Sequence, residues 1–397
     1  MTFSLGDEGF RLNDQSSFRD PWHLMTLLFI SFVAAFLATL VIVRSARSHA
    51  RFSGDTDQSG PQKFHARVVP RIGGIGIACG VAAGMLYAMN LPGTDQYTKS
   101  VLCMAGFIAF SAGLIEDFTK RVTPRQRMLA MILAAAVALW LANAEIERTD
   151  IAGLDPLLGI AGVSVLLTLF AVAGVANSIN IIDGFNGLAS MCVAIMLAAL
   201  AFVAHQVGDT LIFNCALIGL GAVLGFFALN YPFGLVFLGD GGAYFMGFWV
   251  AELSIMLVQR NDAVSPMFPL LLCVYPIFET VFTMYRRKIV RGHPMGQPDA
   301  THLHSLIYRR LMRWAVGKRD VSTLLRRNSM TSPYLWALCS LAAVPATLWW
   351  NDSHALQICI VLFCLSYLAL YRAIVRFRTP RLLVRKGTST AVLKSAG

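Results

Sequence analysis

The chain reads as an all-α, polytopic integral membrane protein of about eleven transmembrane helices, with the N-terminus outside and the C-terminus in the cytoplasm. Three observations predict this. Of 397 residues, 56% are hydrophobic and only 14% charged, against about 25% charged in an average soluble domain. The apolar residues are gathered into long blocks. The basic residues are confined to a few of the segments between those blocks.

The first block, 22–43, holds one His and no other ionisable side chain. A span needs roughly 20 such residues. It is too long for a signal peptide, and the segment before it carries both signs of charge rather than a basic n-region. Further apolar blocks follow near 72–91, 100–115, 128–144, 157–176, 188–205, 211–229, 243–259, 267–285, 334–350 and 355–371. Lipid offers backbone groups no hydrogen bonds, so each block is expected to be helical. Small residues, as in Gly73-Gly74-Ile75-Gly76, suit close helix contacts.

The connecting segments orient these helices. Segments 44–71, 116–127, 286–333 and 372–397 hold 28 of the 33 Lys and Arg residues. With eleven spans all four fall on one side. Arg11, Arg19, Lys99, Arg148 and Arg260 fall on the other. The positive-inside rule makes the rich side cytoplasmic, and dropping any one span breaks the alternation. The whole chain, 1–397, is expected to form one transmembrane domain, with 372–397 as a basic cytoplasmic tail. The net charge of +11 reads as topology signal and attraction to anionic lipid, so no nucleic-acid partner is expected. The eight cysteines all lie in apolar stretches, where a thiol behaves as a small hydrophobe; neither a disulfide framework nor a zinc site is expected.

The same topology gathers the unusual polar residues on the cytoplasmic face. The segments are 116–127, NSINIIDGFNG at 177–187, NYPFGLVFLGDGG at 230–242, and Gly292 to Ser305. They carry Glu116, Asp117, Asp183, Asp240, Asp299, His302 and His304. Carboxylates at membrane helix ends are costly and point to function. Close carboxylates repel unless a cation sits between them. Hard oxygen ligands suit Mg²⁺ or Mn²⁺, with substrate phosphate completing the shell. Glycines beside Asp183 and Asp240 let backbone approach a phosphate. Lys120, Arg121, Arg286, Arg287 and Arg291 can attract a diphosphate. Together these residues predict metal-assisted phosphoryl chemistry at the membrane surface.

Each motif alone also has a plain structural reading. Asp117 can cap a helix end or pair with Lys120. Asn177 and Asn180, spaced i and i+3, can bond between helices. Asp240 among glycines can mark a turn, and His302 and His304 can be ordinary loop residues. Coincidence on one face favours a site.

Taken together, the motifs resemble the polyprenyl-phosphate N-acetylhexosamine-1-phosphate transferases, a superfamily that includes the phospho-MurNAc-pentapeptide translocase. The resemblance runs from about residue 66 to 313, in the family's order. Pro70-Arg71-Ile72-Gly73-Gly74 resembles PRxGG, and Gly113-Leu114-Ile115-Glu116-Asp117 resembles GxxDD. Asn177 to Leu188 resembles NxxNxxDGxxGL, the most specific of the set. Phe237 to Gly242 resembles FxGDxG. Pro276-Ile277-Phe278-Glu279-Thr280 with the following arginines resembles PxxDT…RR, and Pro298 to His304 resembles PDxxHxH.

The resemblance implies roles position by position. Asp240 matches the principal Mg²⁺ ligand. Glu116 and Asp117 match an acidic pair that engages the lipid phosphate or the metal. Asp183, Asn177, Asn180 and Gly184 match the nucleotide-diphosphate site. His302 and His304 match histidines that contact the donor's phosphates or sugar, with Asp299 in the same loop. Arg287 and Arg291 match diphosphate contacts. Glu116, Glu279, Gly242 and Ser305 depart from the usual Asp, Asp, Ser and His. Glu116 keeps its charge but sets it about 1 Å further out, a displacement that matters to catalysis.

The expected activity is transfer of a HexNAc-1-phosphate, GlcNAc-1-phosphate being favoured by the HxH form. The donor is a UDP-sugar, the acceptor undecaprenyl phosphate and the leaving group UMP. This would begin a lipid-linked glycan such as an O-antigen or another cell-wall polymer. The expected partners are the UDP-sugar, the polyprenyl phosphate, Mg²⁺ and the bilayer of the inner membrane, with a homodimer as an option. A membrane transporter or a non-catalytic family member is the alternative.

Overall fold

The computed structural model describes residues 21–46, 69–91, 95–160, 162–290, 301–312 and 321–376. It is 81% helix. The principal helices are α1 (Pro21–Arg44), α2 (Gly74–Met89), α3 (Gln96–Thr119), α4 (Pro124–Ala142), α5 (Val163–Ile182) and α6 (Leu188–Val207). They continue with α7 (Thr210–Asn230), α8 (Gly239–Arg260), α9 (Met267–Leu272), α10 (Val274–Tyr285), α11 (Val321–Leu348) and α12 (Ser353–Val375). Eight of these, α1, α3 to α8 and α12, are long and apolar enough to cross a membrane, and α2 is a shorter apolar helix. The protein is therefore a multi-pass membrane protein.

Every expected apolar block contains helix, but boundaries and continuity differ. The block at 157–176 becomes helix only from Val163, after a turn at Asp155–Leu158. Asp155 holds that turn by accepting from the Thr149 and Asp150 N–H groups. The block at 267–285 is broken at Cys273 into α9 and α10. The block at 334–350 is the apolar end of a longer helix, α11, which starts at Val321. Hydropathy misses its first turns because Arg326, Arg327 and Asn328 are polar, yet they are helical. The segments expected as site loops are also shorter than expected. Asn177 and Asn180 lie in the last turns of α5, Asp240 lies in the first turn of α8, and only residues 120–123 separate α3 from α4. Polar helix ends look like loops to a hydropathy count.

Helix α8 is the centre of the molecule. It is buried on nearly all sides and packs against α2, α3, α5, α6 and α7. A helix apolar all round is expected in such a core. Helix α1 packs against α2 and α7 through small residues. A Cβ on Gly221 would stand 2.3 Å from the Leu28 carbonyl oxygen, and one on Gly225 2.4 Å from that of Phe32. Close backbone approach of this kind supplies the packing that holds helices together in lipid.

Candidate active site

The site is built on the N-terminus of α8. Helix α3 reaches it because residue 113 is glycine: a Cβ there would lie 2.5 Å from the Asp240 carbonyl and the Gly241 nitrogen. One turn later Asp117, 1% exposed, meets the end of α8. Its Oδ1 accepts the Asp240 N–H and its Oδ2 the Gly241 N–H, each at 2.9 Å. The first N–H groups of a helix have no intrahelical acceptor, and a negative charge there also meets the positive end of the helix dipole. Asp117 thus caps a helix, as one plain reading of the sequence allowed, but the helix belongs to another part of the chain.

The segment before α2 lies along the other side. The Phe237 N–H donates to the Pro70 carbonyl (2.8 Å), Gly73 donates to Phe237 (2.9 Å) and Gly74 to Leu238 (2.8 Å). Gly239 adopts φ +75°, and a Cβ there would stand 2.0 Å from the Arg71 carbonyl oxygen. Gly74 and Gly242 touch by backbone: a Cβ on Gly74 would lie 2.3 Å from the Gly242 nitrogen. A Cβ on Gly242 would in turn lie 2.8 Å from the Gly74 Cα.

These constraints aim Asp240 at three polar partners. Its Oδ1 accepts from Asn180 Nδ2 at 3.1 Å and lies 3.7 Å from the Arg71 guanidinium. Its Oδ2 pairs with Arg127. Asp183 ends α5 beside this group. Burial pushes its carboxyl up to about 7; Arg71 pulls the other way, and the charges of Asp240 and Asp117 add to the rise. Burial and like charge both penalise the ionised carboxylate.

The histidines adjoin Asp183 through Gly184, whose Cβ position would be 3.1 Å from His304 Nε2. His304 packs edge-on against Phe185 and parallel to His302, with ring centroids 5.1 Å apart in the second pair. His302 is fixed by buried Glu279, 3.1 Å from its Nδ1. The next loop residues are pinned by α11. Asn328 Oδ1 accepts the Asn186 N–H (2.9 Å), Ser332 donates to the Asn186 carbonyl (2.6 Å), and Trp336 Nε1 donates to Gly187 (2.9 Å).

The structure therefore joins Asp117, Asn180, Asp183, Gly184, Asp240, His302 and His304. Glu116 points elsewhere, with Oε2 accepting the Val122 N–H at 2.7 Å, so it braces the turn between α3 and α4. Asn177 is half-buried one turn before Asn180. Arg287 is buried beyond α10; its neighbour Arg286 donates to the Thr301 carbonyl at 2.6 Å. Arg291 and Asp299 lie outside the described residues. Sequence reasoning assigned no part to Arg127, Asn328 or Tyr367, and gave Arg71 and Glu279 none beyond their motifs. For the first three no signal was available, because each acts across a long stretch of chain.

The donor set bears on the expected metal. Among the described residues no group of three or more His, Cys, Asp or Glu side chains could hold an ion. Mg²⁺ does not need one, since it binds through one or two carboxylates plus substrate phosphate and water. Asp240 and Asp183 fit that mode, and a cation would relieve the repulsion that lifts Asp183. Asp117 fits less well, because both of its oxygens already accept backbone N–H groups.

The family described as glycosyl transferase family 4 matches residues 100–258, from α3 to the end of α8. The chain is also similar to a protein of Bacillus subtilis (strain 168) named probable undecaprenyl-phosphate N-acetylglucosaminyl 1-phosphate transferase. The two are 26% identical over 329 residues, covering 82% of this chain and 87% of the relative. An undecaprenyl-phosphate alpha-N-acetylglucosaminyl 1-phosphate transferase of Escherichia coli (strain K12) is 28% identical over 299 residues, 72% of this chain and 78% of its own. The enzyme of that name from Yersinia pestis is 27% identical over 298 residues, with the same shares. Motif order, matched span and the convergence of the motifs on Asp240 all agree with this similarity to glycosyl transferase family 4 and to the undecaprenyl-phosphate N-acetylglucosaminyl 1-phosphate transferases.

Proposed function

We propose that the protein transfers HexNAc-1-phosphate, with GlcNAc-1-phosphate as the favoured group, from a UDP-sugar to undecaprenyl phosphate and releases UMP. The relatives' names support the acceptor and the sugar. The observation that carries the reading is the cluster at the α8 N-terminus: Asp240 with Asn180, Arg71 and Arg127, beside Asp183 and the histidine pair.

An oxygen of the lipid phosphate attacks the β-phosphorus of the donor. The bond from that phosphorus to the bridging oxygen breaks, and the electron pair leaves with UMP. One phosphoanhydride replaces another, so the step is close to reversible. A phosphate monoester has its second pKa near 6, so the acceptor needs positioning more than a strong base. Arg71 and Arg127 supply positive charge beside the diphosphate, and His302 and His304 contact its phosphates or the sugar. Asp240 and Asp183 would hold the divalent cation, Mg²⁺ with Mn²⁺ as substitute, which when bound neutralises phosphate charge. Asp117 holds Asp240 in place, and Glu116 holds the adjoining turn.

The topology we infer has eleven crossings, α9 and α10 together forming one bent crossing and the N-terminus lying outside. It puts the site on the cytoplasmic face of the inner membrane, where nucleotide sugars are made. The concentration of Lys and Arg in four segments supports it. Replacing Asp240 by Ala should abolish UMP release while the protein stays helical and monodisperse in detergent. Unchanged turnover in that variant would remove Asp240 from the site.

A further inference from the structure

The histidine segment is gripped from two helices through one buried carboxylate. Glu279 on α10 is 0% exposed. Its Oε1 accepts the Leu303 N–H at 3.0 Å and stands 3.1 Å from His302 Nδ1. Its Oε2 accepts the Tyr367 hydroxyl of α12 at 2.6 Å. One turn along each helix the grip is repeated. Thr283 Oγ1 lies 3.2 Å from the same His302 Nδ1, and Tyr371 donates to the Thr301 carbonyl at 3.3 Å.

A carboxylate only accepts hydrogen bonds, so the Nδ1 that faces it carries the hydrogen. The partner of one ring nitrogen sets the state of the other. With Nδ1–H spent on Glu279, Nε2 is the edge left to meet a ligand. In that tautomer Nε2 is an acceptor, suited to a hydroxyl group of the donor. Because His304 stacks on His302, the angle set by Glu279 passes to the ring beside Gly184.

We propose that Glu279, braced by Tyr367, is a positioning residue that sets the tautomer and angle of His302 toward the sugar-nucleotide donor; this rests on the transferase reading above. It brings α12, which lies beyond the motif-bearing region, into the working of the site. The departure from the usual Asp fits the distance: the longer side chain reaches both His302 and Tyr367.

The test is kcat/KM for UMP release by wild type, Glu279→Gln, Glu279→Asp, Tyr367→Phe, His302→Ala and the double variant Glu279→Gln/His302→Ala. Glu279→Gln should lower kcat/KM about 10- to 100-fold, the scale of partners that orient functional histidines. Tyr367→Phe should lower kcat/KM less, and Glu279→Asp should retain more activity than Glu279→Gln. In the His302→Ala background Glu279→Gln should cost nothing more. An equal loss from Glu279→Gln with His302 already removed would overturn the proposal while the transferase reading stands. Absence of turnover in folded wild type would overturn both. Should Glu279→Gln fail to fold, Tyr367→Phe, made with and without His302→Ala, decides by the same comparison.

Discussion

Replacing Asp117 by Asn separates a capping role from a ligand role. The Asp117 carboxylate receives two N–H groups, from Asp240 and Gly241, each at 2.9 Å. An Asn amide has one acceptor oxygen, so its own NH₂ would face the second N–H donor to donor. A hydrogen bond to a charged group contributes about 1.5–3 kcal/mol, and a buried donor left unmet costs about 1–3 kcal/mol. The lost charge at the helix terminus adds roughly 0.3–1 kcal/mol. Relief of repulsion with Asp240 and Asp183 acts the other way, but Arg71 and Arg127 already offset those charges. A net loss of roughly 2–4 kcal/mol follows, which lowers the melting temperature by about 3–5 °C in a chain of this length. Thermal unfolding in detergent, followed by the exposure of buried thiols, reads this directly. Activity should fall as well, because the backbone that carries Asp240 shifts. A melting temperature that stays level or rises in Asp117→Asn would refute the capping role and return Asp117 to the metal or the lipid phosphate.

Three further perturbations follow from the same geometry. Gly113→Ala puts a methyl group 2.5 Å from the Asp240 and Gly241 backbone; it should destabilise by about 1–3 kcal/mol and reduce turnover, measured by melting and UMP release. Asn328→Ala leaves the Asn186 N–H unmet inside the protein, at a cost of about 1–3 kcal/mol, and a normal melting temperature would count against α11 as the anchor of that loop. Asp183 carries a folded-state carboxyl raised to about 7, so the folded protein binds that proton more tightly than the unfolded chain does. Stability should therefore fall as pH rises from the ordinary carboxylate range through about 7. Asp183→Asn should flatten that slope in melting scans, and added Mg²⁺ should flatten it in wild type.

Much of the fold was legible because lipid imposes a simple rule: a long apolar run must be helix. The candidate site was legible because carboxylates and histidines at membrane helix ends have few structural uses, and the eleven-span reading puts them on one face. Asn180, Asp183 and Asp240 could be placed together by topology alone. What could not be read was contact between distant segments. Nothing near Asp117 announces that its acceptors serve a helix beginning more than a hundred residues later. Arg127 looked like one more basic loop residue, but it is the ion-pair partner of Asp240. Glu279, Tyr367 and His302 meet across three separate elements. The polar start of α11 was invisible to hydropathy, although Asn328 and Ser332 hold the Asp183–Gly187 loop from it.

The most direct measurement is UMP release by the purified, detergent-solubilised protein given undecaprenyl phosphate and a panel of UDP-sugars, with Mg²⁺ or with EDTA. Release that needs both the lipid phosphate and the metal, fastest with UDP-GlcNAc, is the predicted result. Release without the lipid, or none with any UDP-sugar from protein shown to be folded, would contradict it.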